Sequence, residues 1–193
     1  MNDKTDSELM EQIKSSDFGA FDELFSRYSG RVRSFLLNLT WEPDLVEDWV
    51  QEVFYRLWKA RERYQPVSKF STYILQIAKN LYISALRKSK AAPTDSLSDE
   101  TRDGYRPFAN IRANARMEPE VHLLEEYRRY RIRQAIKALS EAQRLVFVMA
   151  HLEDIPYAEI AEILNTPIGT VKSRMHAAVQ TLRRTLEEQD NEL

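Results

Sequence analysis

Two runs of helical periodicity separated by Asn165-Thr166-Pro167 constrain this chain more than any other feature. In the first, Tyr157, Ile160, Ala161 and Leu164 fall at i, i+3, i+4 and i+7, one face of a helix. Asn tolerates the left-handed conformation that ends a helix, Thr is a good N-cap, and Pro suits the first helical position. The second run should bury Ile168, Val171, Met175, Ala178 or Val179, and Leu182. Two short helices across a tight turn, with small Ala161 where they approach, form a helix-turn-helix pattern. The other side of the second helix carries Thr170, Lys172, Ser173, Arg174 and His176, placed where a recognition helix meets bases and phosphates.

An amphipathic hairpin with solvated Lys and Arg would show the same periodicity. Charge distribution separates the two readings. Residues 166–186 hold four basic side chains and no acidic one, and residues 67–92 hold five and none, inside a chain of net charge −2. Two acid-free islands in acidic surroundings predict DNA contact at two separated places and little indiscriminate binding.

Ser140-Glu141-Ala142-Gln143-Arg144, then Tyr157-Ala158-Glu159-Ile160-Ala161, then Gly169-Thr170-Val171-Lys172-Ser173-Arg174 resemble region 4 of bacterial sigma factors, in particular the extracytoplasmic-function (ECF) group. The resemblance implies contact with the promoter −35 element by Thr170, Lys172, Ser173, Arg174, His176 and Ala177. At Ala177 family members often carry a larger or basic residue, which implies a different or weaker −35 preference.

The N-terminal half offers a second match. Pro43 to Ala60 should be a helix with Val46, Trp49, Val50, Val53, Phe54 and Leu57 inward, and Asp44, Glu47, Asp48, Gln51, Glu52 and Arg56 outward. On charge alone this is a solvated face with a Glu52–Arg56 pair. The string Glu47 to Trp58, however, is similar to the core-polymerase-binding helix of sigma region 2. That resemblance implies polar contacts from Asp44, Asp48, Gln51 and Glu52, supported by Phe54 and Trp58. Trp49 is larger than the family's usual Leu or Ile, implying a locally different core.

Phe70 to Lys90 should be the next helix, with Tyr73, Ile74, Ile77, Ala78, Leu81, Tyr82, Ala85 and Leu86 inward, and it follows a polar connector, Arg61 to Lys69. It resembles sigma regions 2.3 and 2.4, which open the −10 element. Basic grooves with aromatic or polar pockets suit single strands. The resemblance implies a flipped-base pocket from the connector and Lys69, Phe70, Ser71, Thr72 and Tyr73, and duplex-edge contacts from Asn80, Ser84, Arg87 and Lys88. Core packing is the competing explanation for Tyr73 and Tyr82, and Ser84 stands where Asp is common.

Around these stretches, Asp6 to Lys14 reads as a short helix capped by Asp6 or Ser7, with Leu9, Met10 and Ile13 inward. Asp17 caps a longer helix whose stripe of Phe18, Phe21, Leu24, Phe25, Tyr28, Val32, Phe35, Leu36 and Leu39 reads as core. Residues 91–119 read as a linker, although Tyr105, Pro107, Phe108 and Ile111 are unusual for a spacer. Glu120 to Leu139 opens a second domain with Val121, Leu124, Tyr127, Ile132, Ile136 and Leu139 apolar, and its arginines are expected mainly to pair with glutamates. Ser140 should cap a helix burying Leu145, Val146, Val148 and Met149. Asp154 takes a turn where the family usually has Gly. Glu187 to Glu192 is expected to fray.

The fold expected is therefore all-α: residues 1–90 as region 2, 91–119 as a flexible linker, 120–193 as region 4. Cysteine is absent and His122, His151 and His176 lack ligand spacing, so no metal or cofactor is expected. No apolar run could span a membrane and the first ten residues lack an apolar signal core, which predicts a soluble cytoplasmic protein. With no nucleophile–base pair, the chain is expected not to be an enzyme and to have no small-molecule substrate. The partners implied are core RNA polymerase, promoter DNA (duplex at −35, melted strand at −10), and an anti-sigma factor of the kind that can hold this group at the inner face of the membrane. A conventional regulator would instead dimerise through its N-terminal helices on a palindrome, leaving residues 67–92 and Asp48 to Trp58 unexplained. An adaptor that inhibits another sigma factor would need a partner groove that the sequence does not display.

Overall fold

The computed structural model describes residues 4–91 and 119–191, and every regular element among them is helical. The chain divides into two compact units. Residues 92–118, including Tyr105, Pro107, Phe108 and Ile111, lie outside the described residues, as do the side chains of Val121, His122 and Leu124.

The first unit packs α1 (Asp6–Lys14), α2 (Phe18–Thr40), α3 (Pro43–Ala60) and α4 (Phe70–Ala91) around Leu24, Phe35, Leu36, Val53, Leu57 and Ile74. Thr5, rather than Asp6 or Ser7, caps α1, because only Thr5 has a glutamate at the third helical position. Its hydroxyl accepts from the Glu8 N–H at 3.3 Å, and the Glu8 carboxylate accepts from the Thr5 N–H at 2.7 Å. Asp6 is thereby free to bind across to α2, where its carboxylate accepts from Arg27 at 3.1 Å and from the Tyr28 hydroxyl. Asp17 caps α2 as expected, accepting from the Ala20 N–H at 3.1 Å.

The hydrogen bonds from Thr5, backbone first and then side chain, hold the Glu8 carboxyl below its usual range. A depressed carboxylate contributes stability that is complete above its unfolded value and is lost as pH falls through the folded one. Amide exchange during acid titration should therefore show the first turn of α1 losing protection below the ordinary glutamate range while α2 stays closed. Parallel loss in both helices would contradict this cap.

Two members of the expected α2 core are not core. Phe18 is 67% and Phe25 39% exposed, whereas Leu24, Val32, Phe35, Leu36 and Leu39 are buried. Each covers an aromatic ring of α3 on one side only, Phe18 that of Trp58 at 5.1 Å and Phe25 that of Phe54 at 4.7 Å. The connector also differs from expectation. After one 3-10 turn at Arg61–Arg63, Tyr64 turns inward to 5% exposure, 5.0 Å from the Tyr73 ring.

The second unit comprises α5 (Pro119–Ala138), α6 (Glu141–Phe147), α7 (Tyr157–Leu164) and α8 (Ile168–Asn191). Ser140 caps α6 in a box with Gln143. Beyond α6 the backbone widens into a π-turn, Val148–Leu152, that keeps Val148 and Met149 buried. Of the expected α5 core, Ile136 and Leu139 are buried, whereas Tyr127 and Ile132 are 40% and 42% exposed. Ile160 and Ile163 are the fully buried residues of α7; the sequence reading had omitted Ile163. In α8, Val171, Met175 and Ala178 are buried, which settles Ala178 over Val179, while Ile168 is 45% exposed. The Pro167 carbonyl accepts from the Val171 N–H at 3.3 Å, so Pro167 rather than Thr166 stands at the start of α8.

The end of α8 does not fray where expected: the helix continues to Asn191. Arg131 of α5 donates to the Leu186 carbonyl at 2.8 Å and pairs with Asp190 at 2.5 Å. Its partners thus come from α8. Helix ends and turns in both units use left-handed residues that are not glycine: Ser16 (φ 64°), Trp41 (φ 56°), Asp154 (φ 51°) and Asn165 (φ 49°).

Candidate polymerase and nucleic-acid interfaces

Helix α3 starts at Pro43, whose fixed φ suits the first turn, and it buries Val46, Val50, Val53, Phe54 and Leu57. The 3.6-residue period then forces Asp44, Asp48 and Gln51 into solvent, where all three are exposed. Glu52 is half-exposed and pairs with Arg56 at 2.7 Å, while Glu47 pairs with Arg33 at 2.6 Å. Asp48 and Gln51 are thus accessible polar groups in the middle of this face. Phe54 does not reach the surface: at 2% exposure it lies beneath Phe25, ring centroids 4.7 Å apart, and can only support the face from below. Trp58 is half-buried, stacked on Phe18 at 5.1 Å. Trp49 sits half-buried, its ring centroid 6.3 Å from that of Tyr82 with the planes 67° apart.

The start of α4 borders a cleft of about 330 Å³ lined by Thr5, Asp6, Ser7, Tyr28, Ser68, Lys69, Phe70 and Ser71. Lys69 and Ser71 stand at its accessible edge. Phe70, only 4% exposed, belongs to its wall and packs on Tyr28 at 4.8 Å. Thr72 departs from expectation. At 1% exposure it points into the core with its hydroxyl unbonded, since it shares a helix face with buried Leu75, three residues on. Tyr73 is half-buried between Tyr64 and Phe70, so core packing and surface access both apply to it. Burial, then the hydrogen bond to Asp6, push the Tyr28 phenol well above its usual range, and it stays a donor. Sequence reasoning missed Thr5, Asp6, Ser7 and Tyr28, because only tertiary packing brings them to the start of α4.

Further along α4, Asn80, Ser84, Arg87 and Lys88 share one exposed face. The Ser84 hydroxyl donates back to the Asn80 carbonyl at 2.8 Å, leaving Asn80, Arg87 and Lys88 as the outward-reaching groups. Lys79 is half-buried, and that burial lowers its ammonium pKa.

Helix α8 presents Ser173, His176 and Ala177 along the stripe opposite its buried residues, with Lys172 at one edge and Thr170 and Arg174 at the other. That layout suits a groove, with base edges at the centre and phosphates on either side. The Ser173 hydroxyl donates to the Thr170 carbonyl at 3.0 Å. Gln180, not singled out from sequence, lies on the same stripe with its amide nitrogen 2.9 Å from the His176 ring. An i,i+4 search from His176 would have found it.

Comparison with known proteins bears on both units. The family model for Sigma-70 region 2 matches residues 24–92, and that for Sigma-70 region 4 matches residues 129–182. The chain is 31% identical over 179 residues to the ECF RNA polymerase sigma factor SigW of Bacillus subtilis, covering 92% of this chain and 94% of the relative. It is 29% identical over 182 residues to the ECF RNA polymerase sigma-E factor of Escherichia coli K12, covering 92% of each. Among solved structures, sigma factor RpoE of Bartonella quintana, crystallised with the anti-sigma factor NepR, superposes with a TM-score of 0.61 at 21% identity. That match covers 86% of this chain and 96% of the other, and it shows the shared fold. Among the described residues no helix is long and apolar enough to cross a membrane. With region 2 and region 4 matched in order and a relative aligned along nearly its whole length, the chain belongs to the ECF group of RNA polymerase sigma factors, which are initiation factors that bind polymerase and promoters and are not enzymes.

Proposed function

We propose that residues 1–90 dock on core polymerase through α3 and capture the melted −10 strand along α4. Residues 120–193 read the −35 duplex through α8, and residues 91–119 join the two. The observation that carries this division is that the three surfaces lie on three different helices, the first acidic and the other two acid-free over 67–92 and 166–186. Strand opening then follows from binding the unstacked strand better than the duplex, a population shift. The cleft supports the −10 assignment: it combines an aromatic wall, Phe70, with donors and acceptors from Lys69, Ser71 and Asp6. We place the protein in the cytoplasm, with an anti-sigma factor as a further partner that can hold it at the membrane's inner face. The anti-sigma complex of the structural neighbour supports such a partner.

Lys172 is exposed at the edge of the α8 stripe, so replacing it by Ala leaves packing intact. Loss of one phosphate contact should reduce the slope of log affinity against log salt by about 1. Holoenzyme assembled with Lys172→Ala should bind promoter DNA more weakly while core polymerase is bound as before. Weakened polymerase binding in this variant would overturn the division of labour.

A further inference from the structure

Gln180 leaves α8 on the side that faces directly away from its core. At about 100° per residue, Ser173 and Gln180 lie closest to the line opposite buried Val171, Met175 and Ala178, with His176 and Ala177 to either side of it. Gln180 is exposed, and its amide nitrogen lies 2.9 Å from Nε2 of His176, one turn earlier. Lys172 and Arg174 precede this pair, and exposed Arg183 and Arg184 follow it. The amide thus stands between basic residues, inside the phosphate-facing length of the helix rather than beyond it. Along the axis it lies about 10 Å past Ser173, roughly three base-pair steps.

An i,i+4 pair on a solvated helix face would show the same contact. Two features favour a reading role. Ala177, beside the pair, is too short to reach a base edge, so His176 and Gln180 are the polar groups of the stripe at this turn. The atoms in contact also matter. With the amide nitrogen towards the ring, one N–H donates to Nε2, and the ring carries its own proton on Nδ1. The second amide N–H and the amide oxygen then form a free edge, a donor beside an acceptor. That edge pairs with N7 and the N6 amino group of adenine, whereas guanine offers two acceptors at the same place. An amide already held by its neighbour loses less rotamer freedom when it binds.

Resting on the assignment of α8 to the −35 duplex, we infer that Gln180 is a specificity-determining residue for an adenine in that element and that His176 is its positioning residue. The A·T pair lies at the end of the contacted run nearest Arg183 and Arg184. Gln180 thereby supplies, one turn on, base contact that Ala177 cannot make.

The test is selection from a library of duplex promoter fragments randomised across the −35 element, using the full chain assembled with core polymerase. Wild-type holoenzyme should enrich adenine at one position. Gln180→Ala should lose that preference by about tenfold while preferences elsewhere persist. Gln180→Glu should move the same position to cytosine, whose N4 amino group donates to a carboxylate. His176→Ala should lower the adenine preference, and adding His176→Ala to Gln180→Ala should lower it no further. Because Gln180 is exposed, its variants should melt as the wild type does. An unchanged adenine preference in Gln180→Ala, or an equal loss of affinity for every sequence, overturns the inference. The α8 assignment survives that result if Lys172→Ala still weakens promoter binding, and falls with it if Lys172→Ala binds normally. Full adenine preference in His176→Ala overturns the positioning role alone.

Discussion

Asp48→Arg should abolish co-elution of the protein with core RNA polymerase on a sizing column at moderate salt. Asp48 is exposed in the middle of α3, and its neighbours on that face are acidic or polar, so the reversed charge disturbs no packing. Placing like charge where opposite charge is expected costs several kcal/mol at an interface, and a loss of about 3 kcal/mol corresponds to over 100-fold in affinity. The substituted protein should melt at the wild-type temperature and still present an intact α8. Retained co-elution would show that α3 is not the docking helix, and the acidic face would revert to a solvated surface.

Filling the cleft beside α4 should produce the second large effect. Ser71 lies at the rim, half-exposed, so Ser71→Trp can place an indole in the cleft with little disturbance to Ile74 and Leu75 behind it. A stacked base contributes roughly 1–3 kcal/mol, so blocking its seat should reduce strand opening by about 10- to 100-fold. Promoter fragments should still be bound by holoenzyme through the −35 contact, but thymines around −10 should lose their reactivity to permanganate. Normal opening by Ser71→Trp would remove the cleft from the mechanism and leave the exposed face of Asn80, Arg87 and Lys88 as the −10 contact.

The helices and most of their buried faces were legible because amphipathic periodicity records them directly. Pro43, Asp17 and Ser140 marked helix starts through local chemistry, and local chemistry is visible in a string. The errors cluster where a third element decides the outcome. Phe18 and Phe25 look identical to Phe35 in a periodic stripe, yet tertiary packing buries Phe35 and leaves the other two in water. Thr72 looks accessible beside Ser71, yet it falls on the face of α4 that carries buried Leu75. Asp6 competed with Thr5 for the cap and lost because Glu8 completes a box with Thr5, which released Asp6 to Tyr28 and so built a wall of the cleft. The anchoring of α8 by Arg131 joins residues nearly sixty positions apart, beyond the reach of any local pattern.

The left-handed turns noted above bear on how much heat such a protein tolerates. Among the described residues no glycine has positive φ, and Ser16, Trp41, Asp154 and Asn165 occupy those conformations instead. For most side chains this costs on the order of 1 kcal/mol or more, least for Asn and Asp. Meanwhile Gly30 stands inside α2 with open space around the position of a β-carbon, where alanine would add about 0.5–1 kcal/mol of stability. Backbone freedom is therefore lacking where it would relieve strain and present where it loosens a helix. A chain built this way sits below its own ceiling of thermostability, and the margin can be recovered at positions away from the polymerase and promoter surfaces.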